Sequence, residues 1–83
     1  MSQLYTARRD ALPPRSFAYV DSLGGEHLPI HDAAHVRNAA ARFSQTRFES
    51  AEARKTAARR IVEAAQQHGI ELSDDDAVVR AAA

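Results

Sequence analysis

Histidine, aspartate and arginine are the residues of this chain best equipped for chemistry, and their spacing decides which kinds are open. His27, His31 and His35 stand four residues apart, with Asp32 between the last two. Two imidazoles at i and i+4 on one helical face, with a carboxylate beside them, form a zinc-binding pattern, because zinc takes both imidazole nitrogen and carboxylate oxygen. The backbone argues against that use. Pro29 keeps His27 and His31 from sharing a helical turn, and Asp32 reads as a helix N-cap, which leaves His31 outside the helix that bears His35. No metal and no cofactor are therefore expected. His68 falls on an apolar stripe just before Gly69 and reads as structural. The run Asp74-Asp75-Asp76 lacks the further ligands and spaced glycine of a calcium loop, and its carboxylates suit the positive end of a helix.

Nucleophilic catalysis needs a hydroxyl or thiol beside an oriented base. The chain has no cysteine and no G-x-S-x-G turn, and Gly24-Gly25 is too short to cradle a phosphate. No catalytic residue is expected, and the chain reads as something other than an enzyme.

Arginine leaves two binding readings. Net charge is zero, but residues 35–60 carry +5, residues 1–15 carry +2, residues 16–34 carry −3, and the remainder carries −4. The first reading is a protein-interaction module in which the exposed strip Arg37, Asn38, Arg42 and Gln45 meets an acidic or helical partner, a second copy included. The second is nonspecific grip on nucleic-acid phosphates by Arg54, Lys55, Arg59 and Arg60 with Arg8 and Arg9. Helical spacing spreads these cations around the axis, and Glu52 and Glu63 interrupt them, so the second reading is the alternative.

The elements that must position these residues follow from patterning. Eighty-three residues make one small domain, whose 45% hydrophobic content is filled out by alanine, a helix former that buries little area. A thin core is expected, completed by a partner. The absence of cysteine suits a reducing compartment, and neither a signal peptide nor a membrane span is visible, so a cytoplasmic protein that does not engage membranes is expected.

The spacing predicts a mainly α fold: a helical hairpin with a short C-terminal helix across it, and a small β-hairpin-like or irregular N-terminal lobe. Residues 1–12 read as a mobile arm, ended by Pro13-Pro14. In the lobe, residues 13–31, Phe17-Ala18-Tyr19-Val20 and His27-Leu28-Pro29-Ile30 flank Gly24-Gly25, which supply positive φ for a reversal. Asp32 caps a helix over 32–45 that buries Val36, Ala39, Ala40 and Phe43. Ser50 caps a second helix over 50–68 that buries Ala53, Ala57, Ile61, Ala64, Ala65 and His68, stopped by Gly69-Ile70 in a Schellman motif. Ser73 caps a third over 74–81, with a frayed tail.

The segments Leu12-Pro13-Pro14-Arg15-Ser16-Phe17-Ala18-Tyr19-Val20-Asp21, Leu28-Pro29-Ile30-His31-Asp32-Ala33-Ala34-His35-Val36-Arg37-Asn38-Ala39, Ala41-Arg42-Phe43, Arg59-Arg60-Ile61, Ala64-Ala65 and His68-Gly69-Ile70 resemble a small bacterial domain family of unknown function. The resemblance covers nearly all of residues 12–71. It implies a module that occurs as a short free-standing protein, beside regulatory or signalling domains, and in phage-related proteins near capsid maturation. It implies no catalytic or ligand residue. Ala40 departs from it, standing where a larger aliphatic residue is expected.

Overall fold

The computed structural model describes residues 13–83. A 3-10 turn, Pro14–Ser16, leads into two antiparallel strands, β1 (Phe17–Val20) and β2 (Glu26–Pro29). Three α-helices follow among the described residues: α1 (Ala33–Arg42), continued by a 3-10 turn at Phe43–Gln45, then α2 (Ala51–Gln67) and α3 (Ala77–Ala82). The chain is mainly helical with a two-stranded hairpin. The arm expected over residues 1–12 lies outside the described residues.

The hairpin pairs Phe17 with Pro29, Tyr19 with His27 and Val20 with Glu26. Its reversal needs one left-handed residue, and Gly24 supplies it at φ 85°. Gly25, expected to share that role, has no positive φ; its lack of a side chain instead lets the Asp21 carboxylate approach and accept its N–H at 2.7 Å. Asp21 also accepts the Leu23 N–H at 3.0 Å, so one carboxylate closes the turn. Opposite Phe17, Pro29 has no N–H to give, and the Phe17 carbonyl takes a long hydrogen bond from Arg60 Nη1 at 3.4 Å.

Both long helices start where their caps predict. The Asp32 carboxylate accepts from His35 N at 2.8 Å and the Ser50 hydroxyl from Ala53 N at 3.0 Å. The stop of α2 is the expected Schellman motif: Gly69 at φ 69° lets Ile70 N–H reach the Ala65 carbonyl at 2.8 Å and Gly69 N–H reach Gln66 at 3.3 Å.

α3 begins three residues later than expected. Ser73 and Asp76 close a separate turn, Asp76 Oδ2 accepting from Ser73 N at 3.0 Å and the Ser73 carbonyl from Asp76 N at 3.0 Å, while Ser73 Oγ accepts from Asp75 N at 3.2 Å. Asp76 has extended backbone at ψ 137°, so the helix restarts at Ala77. Its end is tied down rather than frayed: Ala81 and Ala82 are half-buried, and the Ala82 carbonyl accepts a weak hydrogen bond from Arg59 Nε at 3.4 Å.

One core joins all elements. β1 packs on α2, β2 on α1, and α3 chiefly on α2. Val36, Phe43, Ile61 and Val78 are the largest fully buried side chains, surrounded by Ala39, Ala57, Ala58, Ala64 and Ala65, with Ala18, Tyr19, Leu28 and Ile30 from the hairpin region. The lobe is thus part of the core. Three expectations about α2 change: Ala53 is only half-buried, His68 is exposed, because the helix unwinds at that residue, and Ala58 is buried, because α2 is packed on two sides by β1 and α3. No helix among the described residues is long and apolar enough to cross a membrane.

Candidate functional site

The hairpin and α1 stand side by side and leave between them a groove of about 460 Å³. Glu26, His27, Leu28 and Pro29 form one wall; His35, Asn38, Ala39, Arg42 and Thr46 form the other. The helical period explains the second wall. His35, Asn38 and Arg42 are spaced three and four apart, so one face of α1 presents an imidazole, an amide and a guanidinium in a row.

The β2 wall carries an unusual backbone. Leu28 sits at φ 58°, a left-handed conformation that costs a branched residue about 1 kcal/mol or more, and its side chain is buried in the core. His27 is held above it by two partners. Its Nε2 lies 2.9 Å from Asp21 Oδ2, and its ring stacks on Tyr19 with centroids 5.3 Å apart. The His27 hydrogen bond, then the Gly25 N–H, hold the Asp21 carboxyl below the usual carboxylate range.

Of the four residues expected to meet a partner, Asn38 and Arg42 line this groove. Arg37 points elsewhere, into a depression shared with Ala40, Ala41, Ile70, Glu71, Leu72 and Asp76. Gln45 is exposed at the end of the 3-10 turn. The strip therefore divides, because Arg37 and Asn38 are adjacent in sequence and diverge by about 100° around the helix.

The cations of the alternative reading diverge as well. Arg54 lies over the Phe43 ring at 5.0 Å and borders α3, Arg59 reaches the end of α3, and Arg60 reaches the hairpin. Lys55 is exposed. Arg8 and Arg9 lie outside the described residues.

The residues His31, Asp32 and His35 come together, contrary to the backbone argument made from sequence. His35 Nδ1 is 2.8 Å from Asp32 Oδ1, His31 Nε2 is 3.6 Å from Asp32 Oδ2, and the two rings lie 4.3 Å apart. The N-cap explains it: extended backbone at Asp32 (φ −149°) folds the preceding residue over the first turn, so His31 meets His35 without sharing a helix with it. His27 stays apart, on Asp21.

Sequence reasoning missed the contact that fixes the hairpin on the helices. The Glu49 carboxylate accepts from Ser22 N at 2.9 Å and from the Ser22 hydroxyl, while Glu49 N–H donates to the Tyr19 hydroxyl at 3.1 Å. The Ser22 hydrogen bonds draw the Glu49 carboxyl below its ordinary value. Phe48 next to it packs edge-on against Tyr19 at 4.9 Å and against Phe43 at 5.2 Å. Partners some 27 and 30 residues apart leave no local signal in the sequence.

A family model described as a family of unknown function (DUF6582) matches residues 3–75. No curated protein and no solved structure matches the chain.

Proposed function

We propose, of a chain that belongs to DUF6582, a family of unknown function, that it is a non-catalytic protein-interaction module whose β2–α1 groove receives a segment of a partner protein. The observation that carries this reading is the groove itself. Its floor is apolar at Leu28, Pro29 and Ala39, and polar groups converge over it from Asn38, Arg42, His27 and His35. Arg42 offers a planar fork to a carboxylate, and Asn38 offers both a donor and an acceptor to a peptide backbone. The strained backbone of Leu28 lies in the same wall, where rigid preorganisation favours binding. The partner segment best suited to this lining is short and extended, with a carboxylate at Arg42 and no acidic group beside Glu26.

One feature supports a binding role over a catalytic one. His27–Asp21 and His35–Asp32 resemble the base and orienting carboxylate of a nucleophile system. The nearby hydroxyls, however, are engaged elsewhere: Ser22 with Glu49 and Thr46 with the Arg42 carbonyl at 3.0 Å. Nucleic-acid binding remains second, since Arg54, Arg59 and Arg60 face different neighbours and compose no single patch.

Capture with the full chain as bait, compared between wild type and Arg42→Glu, tests the reading, with sedimentation to detect a second copy. A protein partner or self-association present in wild type and lost in Arg42→Glu is the expected result. A strictly monomeric chain that captures nothing overturns the function. Capture equal in both chains overturns the site, and a low-salt gel shift abolished by Arg59→Ala with Arg60→Ala would favour the nucleic-acid reading.

A further inference from the structure

We infer that His31, Asp32 and His35 form a binding site for one divalent transition-metal ion of the zinc class. The donor set comes first. Two imidazoles and a carboxylate are borderline nitrogen and oxygen ligands of the kind zinc, nickel and copper accept, whereas calcium and magnesium favour all-oxygen shells.

The geometry is close to what such an ion needs. With metal–donor distances of about 2.0–2.1 Å, neighbouring donors stand roughly 3.0–3.4 Å apart. Here Asp32 Oδ1 and His35 Nδ1 are 2.8 Å apart, Asp32 Oδ2 and His31 Nε2 are 3.6 Å apart, and one ligand atom from each residue lies within 4.8 Å of the others. The Asp32 pairs need only a few tenths of an ångström, while the widest donor pair, within 4.8 Å, must close by about 1 Å or more to reach one ion, a shift that a turn of the exposed His31 ring supplies. His31 can make its share cheaply, because it is exposed and precedes the helix.

The Asp32 carboxylate has two duties at this place. It accepts the His35 N–H at the start of α1, and its charge opposes the positive helix end that would otherwise repel a cation. Three protein ligands leave the remaining coordination positions to water, the arrangement of an open rather than a closed zinc site. His35 also lines the β2–α1 groove, so a bound ion would border it. The inference does not rest on the groove reading, since the probe is the metal alone.

Calorimetric titration of the untagged full chain with Zn²⁺ is expected to give one ion per chain. His31→Gln and His35→Gln should each weaken binding about tenfold or more. Asp32→Asn should also weaken it while keeping helix α1, because asparagine is an equally good N-cap. His68→Gln, remote in sequence and exposed, should leave it unchanged. On the wild-type chain, the ring nitrogen resonances of His31 and His35 should shift on zinc addition. No binding at millimolar Zn²⁺, unchanged affinity in both His31→Gln and His35→Gln, or unmoved ring resonances would overturn the site.

Discussion

Asp21 closes a turn and holds a histidine with the same two oxygens. It accepts from Leu23 N, Gly25 N and His27 Nε2, and its carboxyl is held below the usual carboxylate range, chiefly by His27. Because the folded value lies below the unfolded one, the ionised carboxylate adds stability above the ordinary carboxylate range. That contribution is lost as pH falls through the folded value. Asp32 and Glu49 are shifted the same way, Asp32 first by the His35 N–H and Glu49 first by the Ser22 hydroxyl. Acid should therefore destabilise the fold. Asp21→Asn is expected to lower the melting temperature near neutral pH and to flatten its decline on the acid side; an identical decline in both chains would assign the acid response to Asp32 and Glu49.

Two predictions belong to the helices. Gly69 takes the left-handed conformation that ends α2, and a Cβ there meets no atom within 4 Å, so the cost of Gly69→Ala is conformational alone. It should be about 1 kcal/mol by chemical denaturation. Ala40, half-buried, forms part of the depression of about 300 Å³ between α1 and the segment Ile70–Leu72. Ala40→Leu should fill it and stabilise the fold by about 1 kcal/mol; destabilisation would mean that the depression is shaped against a larger side chain.

Helices were legible where a cap and a stop coincide with the apolar period. Asp32 and Ser50 start α1 and α2 as expected, and Gly69-Ile70 ends α2 within one residue of the expected place. The start of α3 was not, because Ser73 and Asp76 satisfy each other's groups in a turn that mimics a helix start. Half of the candidate strip was legible as well. Periodicity places Asn38 and Arg42 on one face, but which face meets the hairpin depends on β2, whose position no local pattern encodes. The His31–His35 contact was missed because it spans a cap, where helical spacing rules do not apply.

For the whole molecule, the hairpin is the element that gives a helical pair its groove. It contributes Ala18, Tyr19 and Leu28 to the core, and β2 walls the groove. Glu49 joins it to the connection between α1 and α2 through Ser22 and Tyr19. Glu49→Ala should therefore raise amide hydrogen exchange over Ser22–Gly25 while leaving the middle of α2 protected. A uniform rise across the chain would show instead that the hairpin and helices open as one unit.

The claim that the β2–α1 groove is a docking site for a protein segment is tested most directly by site-specific photo-crosslinking in cells that express the chain. A photoreactive side chain in place of Asn38, in the groove, is compared with one in place of Lys55, exposed on α2. A discrete adduct from position 38, to another protein or to a second copy, and none from position 55 is the predicted result. No adduct at either position, or the same adducts from both, would contradict it.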